Sequence, residues 1–271
     1  MVSRTGDTAG AAYPGRVTAQ PARRTLLVET VLVLGVSLGA SAVWSVLSLI
    51  RKLTYEAPLA AQTTSMNTSV TPDRPWLDLA YKLAGIVIAL VPVLLALHLL
   101  ARDSRHPGGP RHAMGFDLRR PVRDLLLGLG LAAVIGLPGL GLYLLARELG
   151  LNTTVAAANL ADVWWAVPVL VLAAAQNAVL EEVIMVGYLF SRWAQAGWGT
   201  WTVVLTSALI RGSYHLYQGF GGFIGNVAMG LLLGWVYTRT RRVMPLVVAH
   251  TTLDVVAFVG YAVLAPRVDW L

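Results

Sequence analysis

The chain contains no cysteine, which excludes disulfides, iron–sulfur clusters, thiolate-held zinc and cysteine nucleophiles. Lysine is almost as scarce: Lys52 and Lys82 are the only two, so the net charge of +7 rests on arginine. Charged residues make up 13% of the sequence, against roughly a quarter in soluble domains, while 56% is hydrophobic. That balance describes a membrane protein. At about 20 residues per crossing, the apolar runs leave no room for a large soluble domain. No glycine-rich nucleotide loop opens a helix, and no internal repeat is visible. In a polytopic chain an arginine excess sets orientation in the bilayer, so it is not read as nucleic-acid binding.

What is present is a series of long apolar runs. Residues 1–24 are polar, small and basic and are expected to be a disordered cytoplasmic tail. Arg23-Arg24 and Ala40-Ser41-Ala42 mimic a cleavable signal, but the apolar run continues to Ile50, so an uncleaved anchor is expected. Seven spans follow, at about 26–50, 77–100, 122–146, 163–193, 201–217, 222–237 and 244–264. The predicted fold is all-α, a polytopic bundle of about seven transmembrane helices. N-terminal helices occupy 25–162, a second helical group occupies 163–264, and 265–271 form a short tail. Gly136, Pro138, Gly139 and Gly141 predict a kink or a close helix contact in the third span. With seven crossings the tail, the 101–121 loop, Arg192 and the 239–242 turn fall on one side, which makes the N-terminus cytoplasmic. Arginine-rich, lysine-poor composition suits a high-GC bacterium, and hence a bacterial cytoplasmic (inner) membrane location.

Ionisable residues inside such spans are the informative ones, because each costs on the order of 3 kcal/mol even on the lenient insertion scale. Glu181 and Glu182 adjoin in the fourth span; their side chains should diverge by about 100° and take different partners. Arg211 and His215 in the fifth span, and His250 and Asp254 in the seventh, are spaced i, i+4 and should each share a helix face. Counted from the cytoplasmic ends, Glu181, His215 and His250 lie roughly 10–20 Å deep, so the three patches can meet. His98 is read as interfacial, and His106 and His112 as solvated. Gly230 and Gly234 form a close-packing pattern, read as helix packing with Asn226 as a possible polar exception. Two histidines and carboxylates could hold a divalent metal such as zinc, although HExxH is absent; the set could equally work without metal, a Glu taking the water's proton. The bland alternative is that the acids only lock helices together.

The order Glu181-Glu182, then His215, then His250 with Asp254, resembles the CaaX protease and bacteriocin-processing family of intramembrane proteases, also called the Abi family. The resemblance covers about residues 163–264 and implies that this group is the catalytic helix core. It also implies that Glu181 activates water aided by His215, while His250 and Asp254 bind the water or the oxyanion. Two positions depart from the family pattern: Val186 stands where that pattern has Arg, and Arg211 where it has Phe. Arg211 is therefore expected to supply the missing charge to Glu182 from the neighbouring helix. The leading expectation is an intramembrane endopeptidase acting on a membrane-embedded protein or peptide, with the lipid bilayer as a further partner and no nucleic acid. The alternative is a non-proteolytic scaffold or partner subunit, which an Arg211 salt bridge plugging the site would favour. A proton-coupled transporter ranks last, because inverted repeats are lacking.

Overall fold

The computed structural model describes residues 21–103, 108–160 and 162–267. Residues 1–20 of the expected tail, His106, and 268–271 of the expected C-terminal tail lie outside them. The expected tail ends earlier than 24, because helix α1 (Arg23–Gly35) already begins at Arg23. It meets α2 (Leu38–Leu53) at 54°, so the first expected span is a bent pair. The chain turns at Val36 and Ser37, where the Ser37 hydroxyl donates to Val33 O at 2.6 Å. Helices α3 (Pro75–Ala89) and α4 (Val91–Asp103) together form one long apolar stretch. Pro75 at the start of α3 fixes a helical φ where the missing N–H costs nothing.

After the short α5 (Gly109–Ala113) comes α6 (Pro121–Glu148), which runs on through Pro138 as a single helix. Of the expected glycines only Gly136 makes a close contact, a Cβ there falling 2.9 Å from Leu253 Cδ2, while Gly139 and Gly141 face open space. On the same helix a Cβ on Gly128 would lie 2.8 Å from Pro245 O. The fourth span is α7 (Ala166–Glu181), a π-helical segment (Glu182–Tyr188) and α8 (Leu189–Gln195). Then follow α9 (Thr200–Ser213), α10 (Phe220–Thr240) and α11 (Met244–Leu264). Among the described residues, five stretches are long and apolar enough to cross a bilayer, or six with the bent pair. The expected fifth span falls short: α9 has 14 residues, about 21 Å of helix against a hydrocarbon core of about 30 Å, and 214–217 leave the helix. An all-α polytopic bundle is what the structure shows; the count of seven is reached only by adding the bent pair and α9.

The loops collect at two ends. At one, strand β1 (Thr63–Ser65) pairs in parallel with β2 (Thr154–Ala156), and Asn152 bridges to Gly219. At the other, Val243 N–H donates to Met114 O at 2.9 Å, and Arg242 pairs with Asp124 at 2.5 Å and Asp117 at 3.1 Å. Arg119, backed by Arg242, holds the Asp117 carboxyl well below the usual carboxylate range. Arg119 also bonds His112, which was expected to be solvated and is thus partnered, whereas His98 is exposed on the bundle's surface. Arg192, expected only as a marker of orientation, is fully buried and pairs with Glu29 at 3.1 Å while donating to Leu99 O at 2.7 Å. It ties α8 to α1 and α4.

The fourth span is the centre of the bundle. Of its most apolar stretch 56% is buried, against 17% for α6, and every residue from Glu182 to Tyr188 is buried. Helices α9 and α10 pack antiparallel beside it, and α11 packs against both α6 and α7. Gly230 makes the α9–α10 approach possible: a Cβ there would sit 2.9 Å from Ala208 Cα. Asn226 donates to Gly222 O at 2.9 Å, within its own helix, and so brings no polar group to the centre.

Candidate active site

The two glutamates stand where the central helix changes pitch. Glu181 is the last residue of α7, and Glu182 opens the π-helical segment, a form that recurs at functional sites because it breaks the regular ladder. Hydroxyls satisfy carbonyls along it: Ser207 Oγ donates to Met185 O and Ser191 Oγ to Gly187 O, both at 2.8 Å. Gly187 leaves room for Met114, whose sulfur would lie 2.8 Å from a Cβ there. The site is thus held from α9 and from the 109–116 segment as well as by its own helix.

Arg211, near the end of α9 and 1% exposed, spans both carboxylates. Its Nη1 donates to Glu181 Oε2 at 3.2 Å and its Nη2 to Glu182 Oε1 at 2.7 Å. This overturns the expectation that the glutamates take wholly different partners. Their Cβ directions diverge, but two flexible side chains reach one planar, two-armed cation. They differ in their other contacts. Tyr214 OH donates to Glu181 Oε2 at 2.7 Å, whereas His250 Nδ1 donates to Glu182 Oε1 at 2.8 Å. Glu182 Oε2 is buried without a hydrogen-bond partner. Glu181 Oε1 takes no hydrogen bond among the described residues.

On α11, His250 Nε2 lies 3.7 Å from Asp254 Oδ1, beyond hydrogen-bond length. The closer partner of His250 is Glu182, at 2.8 Å from Nδ1. Asp254 instead accepts a long contact from Asn177 Nδ2 at 3.4 Å, one turn before Glu181 on α7. Helices α7, α9 and α11 thus converge on one polar network.

His215 joins that network indirectly. It lies beyond the end of α9, so it does not share a helix face with Arg211 as expected. Its Nδ1 nonetheless donates to Arg211 O at 3.0 Å, which leaves Nε2 as the acceptor of the neutral ring. The ring lies 4.7 Å from that of Tyr214. Tyr214 is not among the residues that the sequence marks as catalytic. Its signal was chemical: a tyrosine in an apolar span must find a partner for its hydroxyl.

Glu181, Glu182 and His250 each offer a ligand atom within 4.8 Å of the others, the spacing of a metal site. The donor set fits a resident metal poorly. A guanidinium already lies 2.7 and 3.2 Å from oxygens of both carboxylates, and His250 commits Nδ1 to the same Glu182 oxygen. A divalent ion would have to displace Arg211 or sit beside its charge.

No curated protein and no solved structure shows a match to the chain. Residues 163–256, about a third of the chain, match the model of a family described as Rce1-like, type II CAAX prenyl endopeptidase Rce1-like. The matched stretch holds α7, the π-helical segment and α8 to α10, and reaches into α11 past Asp254. It bears out the resemblance to the CaaX protease family and supports, at family level, a CAAX-type intramembrane endopeptidase.

Proposed function

We propose that the protein is an intramembrane endopeptidase that hydrolyses a peptide bond of a membrane-associated protein or peptide. It would sit in a bacterial cytoplasmic membrane with its N-terminus cytoplasmic, where its arginine-bearing turns gather at one end of the bundle. The observation that carries the reading is the asymmetry of Glu181. One oxygen is anchored by Arg211 and Tyr214, while the other is uncommitted. Glu181 would take a proton from a water also held by His215 Nε2, and the hydroxide would attack the scissile carbonyl. As the C–N bond breaks, Glu181 returns that proton to the departing amine. His250, fixed by Glu182 on Nδ1, and Asp254 would face the oxyanion and the water. Glu182 and Arg211 would hold the set in place.

The scaffold reading has one observation in its favour: Arg211 salt-bridges both glutamates. An anchor on a single Glu181 oxygen falls short of a plug, which is why hydrolysis ranks first. The test compares the wild type with Glu181→Gln in nanodiscs, using a prenylated CaaX peptide, alongside terminal-peptide profiling of membranes from expressing cells. We expect new termini from the wild type alone, with melting temperatures within about 3 °C of each other. Identical profiles from the two proteins would establish the scaffold instead.

A further inference from the structure

His215 lies on irregular backbone between α9 and α10. Backbone of this kind is tolerated in an apolar setting only where its N–H and C=O groups find partners. His215 N–H and C=O are satisfied within the turn, by Gly212 O and Gln218 N–H, but the groups of Tyr217 and Gln218 find partners outside the 163–256 stretch. Tyr217 N–H donates to Ser45 Oγ at 2.7 Å, and Tyr217 O accepts from Lys52 Nζ at 2.5 Å. Both side chains belong to α2. Thr153 N–H and Thr153 Oγ1 donate to Gln218 O at 2.9 and 3.0 Å. Thr64 Oγ1 accepts from Lys52 Nζ and lies 2.6 Å from Thr153 Oγ1, which closes the ring. Ser45, Lys52, Thr64 and Thr153 are all at most 7% exposed. Gly219 completes the turn at φ 120°, with so close an approach to Leu151 O that a Cβ would fall 2.6 Å from it.

Lys52 is the unexpected member. A buried ammonium ordinarily sits beside a carboxylate, yet among the described residues it pairs with none. Its acceptors are a hydroxyl and the carbonyl two residues after His215. Ionisable groups in an apolar setting pair with one another or with main-chain carbonyls and persist where they have a task. We infer that Ser45 and Lys52, on the bent first helix pair, are positioning residues that fix the turn carrying His215 and so aim its Nε2 at the water beside Glu181. The inference rests on the proposed hydrolytic site for the purpose of the aim, but not for the existence of the cradle. It also gives the N-terminal helices a part in the site.

The test reads His215 directly, with no substrate. The full chain is labelled with 15N-histidine in nanodiscs, and ring resonances are compared among wild type, Lys52→Met, Lys52→Arg and Ser45→Ala. His215→Gln and His250→Gln spectra assign the two signals. We expect His215 to lose its single Nδ1–H tautomer signature in Lys52→Met and Ser45→Ala, to regain it at least in part in Lys52→Arg, and His250 to stay in place. In the same samples, turnover of a prenylated CaaX peptide should fall at least tenfold in kcat with KM within twofold. An unmoved His215 signal, or equal movement of His215 and His250, overturns the cradle as a specific positioning device. A moved His215 with unchanged turnover overturns its role in aiming the residue. A wild type that cleaves nothing counts against the proposed activity, while the histidine spectra still decide the cradle.

Discussion

Removing the Arg211 guanidinium should be the most damaging single change at the site, and its cost should be recoverable in part. Arg211 is 1% exposed, and its two nitrogens lie 3.2 and 2.7 Å from carboxylates on a neighbouring helix. Arg211→Leu leaves both carboxylates buried without that cation, a loss of roughly 3–5 kcal/mol by comparison with broken buried pairs elsewhere. For a chain of this size that is on the order of 6–20 °C in melting temperature. Glu182→Gln keeps an oxygen for Arg211 and His250 and should cost less, about 1–3 kcal/mol. In the double variant one of the two stranded charges is gone. The combined loss should therefore fall short of the sum by about 1–3 kcal/mol, the coupling expected of groups in one network. The assay is thermal unfolding in nanodiscs at a single scan rate, followed by tryptophan fluorescence. Arg211→Lys should recover only part of the loss, because an ammonium cannot present two parallel donors to two carboxylates. Additive losses, or an Arg211→Leu protein melting within about 2 °C of wild type, would refute the reasoning.

Three further expectations test other parts of the structure. Asp117→Asn should lower the melting temperature at pH 7 by roughly 2–4 °C, about 1 kcal/mol. Because the folded Asp117 pKa is depressed by Arg119 and Arg242, its stabilisation is present above the unfolded value near 3.9 and lost as pH falls further; the gap should close below about pH 4, and a gap that widens there would contradict this. Gly230→Ala forces a Cβ to within 2.9 Å of Ala208 Cα and 3.2 Å of Arg211 Cδ, and should cost about 1–3 kcal/mol, while Gly139→Ala, with open space around it, should not destabilise. Equal melting temperatures for those two variants would show that α9 and α10 are not tightly seated. Chelators, and added zinc, should leave both melting temperature and peptide cleavage unchanged; a zinc-dependent rise of several degrees would favour the Glu181, Glu182 and His250 set as a metal site.

The bundle was legible in the sequence because apolar runs and internal charges are local signals. Glu181, Glu182, Arg211, His250 and Asp254 were singled out as costly in an apolar span, and the structure gathers them. What could not be read was how the helices end and who meets whom. The i, i+4 rule assumes an unbroken helix, and it failed for Arg211 and His215 because α9 stops at Ser213. The rule of 100° per residue separated Glu181 from Glu182, but it describes Cβ directions and says nothing of where a long side chain ends beside a two-armed partner. Arg192 looked like a marker of orientation because its burial depends on Glu29 and on the Leu99 carbonyl, both far away in the chain. The roles of Lys52, Ser45 and Thr153 gave no signal, since their partners are main-chain groups, which every residue carries, and a threonine hydroxyl from a distant loop.

An arginine at 211, and not at 186 where the family pattern that the sequence resembles has one, changes what the ion pair accomplishes. An arginine four residues after Glu182 would pair within one helix and leave the neighbouring helix free. From α9, the same charge ties two helices together, and it does so four residues before His215. Arg211 then holds both halves of the site with different atoms: its guanidinium grips Glu181 and Glu182, and its main-chain carbonyl accepts from His215 Nδ1. The two roles separate under mutation. Arg211→Leu deletes the guanidinium but keeps the carbonyl, so the Nδ1–H tautomer of His215 should survive in a protein that melts roughly 6–20 °C lower. Lys52→Met should do the reverse, disturbing His215 while the two glutamates keep their cation. If Arg211→Leu also scrambles the His215 signal, the carbonyl contact depends on the ion pair. The site would then be one rigid unit, and not two halves joined at a single residue.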